Sequence, residues 1–536
     1  MNQQYFSDQE LRESIARGVE ELVSVVSETL GPKGNNVLLQ RKGQLPVITK
    51  DGVTVAKFCQ LSNPSENAAA MLIKQAAIRT NIDAGDGTTT STVLAGAILR
   101  ESFKHIVAGH APVELRRGID LACQKVVEQI KKHSIEISSL EEIKNIACIS
   151  ANGDSEIGEI LVQAINAVGK YGSISVKESR QPQTSLSLVE GYRIPAGYSS
   201  PRFINDEKNH LVKYDKPNVV VTDHSLTTVD EMMPILELAS RSQRPLIIFC
   251  DNIEGQALAA LITNAMRGTM KVACVKAPFF GSERYDILSD IALTCGATFL
   301  TRTTHPDLTK IQLTDFGESE KLEIGKHTTL IVDGAMDPDQ IDERIDALRA
   351  EIAQTDDMPE CERIQDRITR LSSGVAVVNV GGLTDADVVE RKHRIDDALK
   401  AITAAREEGI LPGGGSFLIH AAELAKENLD LEGTLALGAN IVFVACQAPF
   451  RKMCSNAAVS PDVAFNTVRD YYDLSSSSFA YTGGYDFIND CAVPNMIEHG
   501  IIDPAKVTRI ALENAVSAAG VLITANKAII EVDNLD

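Results

Sequence analysis

At 536 residues the chain has room for roughly three domains of about 150 residues each, and its 44% apolar and 23% charged residues are ordinary for a globular protein. The 73 acids against 52 bases give a formal charge of −21 and a pI near 5.0. That balance argues against a nucleic-acid partner, which would need a basic stripe for phosphates, and against docking on an anionic membrane.

The opening "MNQQYFSDQELRE" has neither a basic n-region nor an apolar h-region, so no secretory signal is expected. Charges interrupt the apolar runs, so no bilayer span is expected either. Ten cysteines are scattered singly from Cys59 to Cys491 without a C-x-x-C pair, and they read as reduced, mostly buried residues of a cytoplasmic protein.

In chain order, "SDQELRESIARGVEELVSVVSETL" has helical apolar spacing and is stopped by "GPKG". An extended unit follows, "NVLLQRKGQLPVITKDGVTV", and then helices over 64–82, 88–108 and 112–133. The middle changes texture. "NVVVTD", "PLIIFCD" and "KVACVKAP" alternate with "VDEMMPILELASRS", "GQALAALITNAMRG" and "YDILSDIALTCG", a β-α-β rhythm. Residues 339–372 predict a hairpin of two charged helices, with Ile341, Ile345, Leu348 and Ile352 on one stripe and Ile364, Ile368 and Leu371 on the other. Residues 410–530 return to the helical texture, with "GTLALGANIVFVACQAPFRKMC" and "ALENAVSAAGVLITANKAII" as apolar helices. The two outer helical blocks are expected to form one domain around the inserted α/β block. Gly191 and Gly374 bracket the insert, as hinge glycines or as ordinary loop glycines.

"NIDAGDGTTTSTVLAG", residues 81–96, places Asp86 between two glycines before three threonines and a helix. A helix N-terminus offers unpaired N–H groups and partial positive charge to an anion. The carboxylate fits such a place if Mg²⁺ lies between it and phosphate; the alternative is a helix simply capped by Asp86 or Thr88. Further Gly-rich corners are "TLGPKGNN", "ITKDGVTV" (Lys50 and Asp51 beside a glycine, between two extended runs) and "EEGILPGGGSFLI". "RIDDALKAITAAREEG" sets Asp397 at an expected helix start, where a carboxylate often only caps.

Together with "ISANGD", "KVACVKAPFFG" and "GIIDPAKVTR", these segments resemble in order and spacing the group I chaperonins, the GroEL family, from residue 8 to about 525. The resemblance implies a multidomain α/β and α-rich, GroEL-like three-domain subunit. Residues 1–132 with 408–536 would form the equatorial ATP-binding domain, 133–190 with 375–407 the intermediate hinge domain, and 191–374 the apical domain. It implies that Thr29, Leu30, Gly31, Pro32, Lys50, Asp86, Gly87, Thr88, Thr89, Thr90, Gly414 and Asp503 contact ATP. Asp86 would hold Mg²⁺, K⁺ is a further candidate ion, and Asp51 and Asp397 would orient the attacking water. Tyr198, Phe203, Met233, Leu236, Leu258, Ile262 and Thr263 match polypeptide-binding positions. The implied partners are unfolded clients, a GroES-type cochaperonin and identical subunits in a sevenfold ring, single or double.

The chain also departs from that family. Arg202 and Thr263 make the groove more polar, the end "EVDNLD" lacks Gly-Gly-Met repeats, and Val459 and Ser460 stand where the family's inter-ring acid, the expected partner of Arg451 across the ring-ring contact, would be. The leading reading is an ATP-driven folding machine. The alternative is a nucleotide-binding ring or holdase with weak or no turnover. A small-molecule kinase is disfavoured, because no acceptor-pocket motif accompanies the phosphate cradle.

Overall fold

The computed structural model describes residues 2–41, 43, 46–151, 153–168, 173–179, 181–207, 209–335, 338–352, 358–371, 374–473 and 481–532. The last residues of "EVDNLD", Asn152 of "ISANGD" and the turn between the two charged helices lie outside them. The chain divides into two compact units, Met1–Val162 with Asp385–Asp536, and Gln163–Thr384.

The first unit is a helical bundle. Helices Asp8–Ser27, Pro64–Ala84, Thr88–Val107, Pro112–His133, Gly433–Ala445 and Ala505–Thr524 share one core, in which Leu22, Ile73, Leu94, Ile98, Leu115, Ile119 and Ile130 are fully buried. Glycine sets the closest crossing. A Cβ on Gly118 would lie 2.2 Å from the Leu435 carbonyl oxygen, and one on Gly438 would lie 2.3 Å from that of Leu115. Neither helix could approach so nearly with larger residues there. Two of these segments, Gly433–Asn456 and Ala505–Thr524, reach the length and apolarity of a membrane span, contrary to the expectation that charges interrupt every such run. Gly433–Ala445 and Ala505–Thr524 bury apolar residues in the bundle core, while Phe450, Met453 and Cys454 join a smaller cluster with Ile419, Phe465 and Phe487.

Several sequence expectations change here. "GTLALGANIVFVACQAPFRKMC" is two helices, Gly433–Ala445 and Ala448–Asn456, with Pro449 opening the second. The "KAIIEV" end is no helix but a strand, Lys527–Val532, antiparallel to Asn2–Ser7 with Tyr5 opposite Ile529. Its alternation of residues finds a β partner only because the two chain ends meet. Within the chain Arg451 has an acid partner of its own. Asp462, eleven residues on, takes its Nη1 at 2.7 Å, and its guanidinium lies over the Phe465 ring.

In the second unit, ten strands form one sheet among the described residues. Its path runs Val272–Lys276, Leu246–Cys250, Asn218–Thr222, Gly317–Ile324, Thr329–Gly334, Ser185–Ile194, Gly374–Val380 and Ser173–Glu178, with Phe299–Leu300 and Val212–Asp215 pairing off it. The first three are parallel, as the β-α-β rhythm predicts, and Asn218–Thr222 and Leu246–Cys250 are buried at every residue, as strands covered on both faces must be. Gly191 and Gly374 are not loop residues. Both lie inside paired strands, Gly191 opposite Val332 and Gly374 opposite Glu190.

The helical hairpin exists as Pro338–Ile352 and Met358–Leu371. It is pinned by Asp290, fully buried, whose two oxygens accept from Arg367 Nε and Nη2 at 2.9 Å each. A buried carboxylate paired in this bidentate way is costly to break, because either partner alone would be an uncompensated charge. No disulfide joins any of the ten cysteines.

Candidate functional site

The Pro64–Ala84 helix ends in Gly85 (φ 81°), and Thr88–Val107 begins from Gly87 (φ 84°), both left-handed, a conformation that disfavours any side chain with a Cβ. Asp86 sits between them. Its Oδ1 accepts the Gly87 N–H at 2.6 Å. No side chain caps the Thr88–Val107 helix, so the alternative with Asp86 or Thr88 as its N-cap falls. Thr88, Thr89 and Thr90 occupy its first turn, whose N–H groups are orphaned donors facing the loop.

Asp51 is positioned differently from the sequence expectation. "GVTV" is not an extended run but the start of a short helix, Gly52–Phe58, and Asp51 is its N-cap, accepting from Val53 N at 3.0 Å, Thr54 N at 3.3 Å and Thr54 Oγ1 at 2.5 Å. The capping preference of aspartate outweighs the β-preference of two valines. The two helix starts then approach closely. A Cβ on Gly52 would lie 2.1 Å from Thr89 Oγ1, and Thr29 Oγ1 is 3.3 Å from that same hydroxyl. Lys50 Nζ donates to the Pro32 carbonyl at 3.2 Å, and burial lowers its pKa. Leu30 and Gly31 belong to the same corner, with Gly31 left-handed (φ 83°) against the Met453 side chain.

Asp503 enters from the strand Ile502–Pro504, which pairs with Ile410–Pro412 and so comes beside Gly414 and Gly415. Burial pushes its carboxyl up to about 6, partly offset by the Gly415 N–H, and the charge of Asp86 raises it further. Asp86 is raised as well, by burial first and then by Asp51, with Lys400 pulling the other way. Asp86 is thus within electrostatic reach of Asp51 and of Asp503, each on a separate segment. Asp397 joins from a fourth, but not as a helix start. It lies midway along Asp385–Glu408 and is 3.9 Å from Lys400 Nζ. That helix is tied by Arg394 to Asp154 and by Glu408 to Arg509.

The donors here are carboxylate and hydroxyl oxygens, a hard set suited to Mg²⁺. Among the described residues no three His, Cys, Asp or Glu side chains converge as metal ligands. That fits an ion held by one carboxylate with phosphate oxygens and water completing its shell. Sequence reasoning passed over Gly415 as a donor to Asp503, Gly52 as the contact with Thr89, and Lys400. The i+3 spacing from Asp397 was the available signal for Lys400.

In the second unit, the seven groove positions divide by depth. Phe203 and Leu236 are core residues, 2% and 8% exposed. Tyr198, Leu258 and Ile262 are half-buried against that core, and Thr263 is exposed with its hydroxyl turned back to the Ala259 carbonyl. Met233 is the exposed apolar member at 43%, and Met266, one turn beyond Ile262 and missed in the sequence, is 62% exposed.

Residues 22–533 match the model of the TCP-1/cpn60 chaperonin family. The fold is similar to two crystal forms of the chaperonin gp146 from the bacteriophage EL 2 (Pseudomonas aeruginosa) in the presence of ATP-BeFx. One has a TM-score of 0.68 at 22% identity and the other 0.61 at 21%, each comparison covering 99% of both chains. The match across nearly the whole chain leaves one conclusion: this protein belongs to the TCP-1/cpn60 chaperonin family.

Proposed function

We propose that the chain is the subunit of an ATP-driven chaperonin, a homo-oligomeric ring of sevenfold symmetry that captures unfolded polypeptide and promotes its folding. In this reading residues 1–132 with 408–536 are the equatorial ATPase domain, 133–190 with 375–407 the intermediate domain, and 191–374 the apical domain. The observation that carries it is Asp86 set between Gly85 and Gly87 at the uncapped start of the Thr88–Val107 helix, with the Asp51-capped Gly52–Phe58 helix packed against Thr89 and Asp503 within electrostatic reach of Asp86. Acids gathered at an anion-binding helix end are unfavourable on their own and make sense with a cation and a polyphosphate present. The neighbouring phage chaperonin was crystallised with ATP-BeFx, a nucleotide-analogue mixture, which agrees with this reading.

Phosphoryl transfer needs positioning and charge neutralisation more than covalent chemistry. Asp86 would hold Mg²⁺, which when bound neutralises phosphate charge. The N–H groups of Thr88 to Thr90 and the Thr29–Pro32 corner cradle phosphate oxygens, and Lys50, Gly414 and Asp503 complete the nucleotide contacts. Asp397 and Asp51 orient the attacking water and receive its proton at a carboxylate oxygen. In the apical unit Met233, half-buried Leu258 and Ile262, and Thr263 offer client contact, backed by Phe203 and Leu236 from beneath. A GroES-type cochaperonin would use the same groove.

The test is light scattering and phosphate release on the full chain, with and without ATP and Mg²⁺, followed by rescue of a denatured client. A ring with Mg²⁺-dependent turnover is expected. A monomer without turnover would overturn the reading.

A further inference from the structure

Lys400 lies in "RIDDALKAITAAREEG" without a role assigned to it there, yet its surroundings are specific. It lies one turn beyond Asp397 on Asp385–Glu408, with Nζ 3.9 Å from Asp397 Oδ1. Its aliphatic stem is what the Asp86 loop rests on. A Cβ on Gly85 would lie 2.3 Å from Lys400 Cβ and 2.9 Å from its Cγ and Cδ, so only glycine lets the loop settle there. Its charge also acts on Asp86, against Asp51. One side chain therefore packs against the loop that carries one carboxylate while pairing with a second on its own helix.

We propose that Lys400 is a positioning residue of the nucleotide site: it holds the Asp397 carboxylate beside the Gly85–Gly87 loop and is the resident counter-charge to Asp86 until a metal–nucleotide complex arrives. This rests on the ATP-site reading above. A lysine suits the task because its ammonium is a compact point charge on a flexible stem, free to withdraw while the stem stays packed. The ammonium and a divalent cation compete for the same carboxylate field. Removing the ammonium must therefore act in opposite directions on two observables. Divalent cation binding tightens, because a positive charge near the ion is gone. Turnover slows, because Asp397 loses the partner that aims it. A merely structural role would weaken both together.

The experiment uses the full chain and Lys400→Met, which keeps the stem and deletes the charge. Calorimetry with ADP across a Mg²⁺ series reads the first observable, and steady-state ATP hydrolysis reads the second. The expected results are a Mg²⁺ midpoint for ADP binding lowered roughly threefold and kcat reduced about tenfold, with KM changed less than about twofold. Lys400→Arg should bring both within about twofold of the unaltered protein. A Mg²⁺ midpoint that is unchanged or raised, or an unchanged kcat, overturns the proposal. If Lys400→Met melts early, Lys400→Gln takes its place under the same criteria. Should the unaltered protein bind no ADP and hydrolyse no ATP, the ATP-site reading fails and takes this proposal with it. An active unaltered protein whose Lys400 variants show no divergence removes Lys400 alone.

Discussion

The proposed nucleotide site in the first unit and the proposed groove in the second are built on opposite terms. At the proposed nucleotide site, Asp51, Asp86, Asp503 and Asp397 come from four segments, and burial works against the charged form of at least two of them, Asp86 and Asp503. Such an arrangement costs stability and persists where a ligand later compensates it. At the groove nothing is in conflict. Leu236 and Phe203 simply belong to the core, and the helices Val229–Ser242 and Gly255–Arg267 leave Met233 and Met266 outside it. A charged site is visible through strain, and an apolar one only through what burial leaves over.

The largest effect should follow Asp86→Ala. Mg²⁺-dependent nucleotide binding should be lost, because phosphate would no longer share a cation with the loop, while binding without Mg²⁺ should persist or improve. Titration calorimetry in both conditions decides it, and an unaltered Mg²⁺ dependence would remove the metal role. Asp397→Ala should instead leave binding nearly intact and slow hydrolysis by at least ~10²-fold. Since Asp397 is mid-helix rather than a cap, its replacement by alanine should not cost helix stability. Normal turnover would leave the residue without a catalytic part.

Two groove variants sharpen the contrast. Leu236→Ser should lower stability by about 2–5 kcal/mol, as a buried truncation does. Met233→Ser should stay within about 0.5 kcal/mol in stability yet weaken client capture, an effect multiplied when the site repeats around a ring. Denaturant melts beside a client-aggregation assay separate the two. Equal melting curves for both variants would contradict the depth assignment.

The smallest effect concerns pH. Asp503 is raised from 3.8 to about 6, so between those values the folded state binds more protons than the unfolded one. Stability then falls as pH rises through that window, and above about 6 the full cost stands, at most about 3 kcal/mol. Asp503→Asn should therefore raise the ligand-free melting temperature at pH 7.5 and flatten the slope between pH 4 and 6 relative to the unaltered protein. Parallel curves for the two proteins would show that the carboxyl is not strained.

The amino-acid sequence by itself determined the parts whose signals are local. Apolar periodicity located the long helices of both outer blocks, and alternation with buried strands gave away the parallel core of Asn218–Thr222, Leu246–Cys250 and Val272–Lys276. The glycine-flanked Asp86 and the threonine turn were readable too, because helix starts obey short-range chemistry. Only the tertiary structure decided the rest, for the reason that those choices depend on partners far along the chain. "GVTV" became the start of a helix capped by Asp51, with Gly52 against Thr89, instead of an extended run. "KAIIEV" became a strand because Asn2–Ser7 lay alongside it. Asp462 took up Arg451 across a turn. Lys400 gained its place against Gly85 through the packing of two helices more than 300 residues apart in sequence, a separation across which no periodicity, cap or motif carries information.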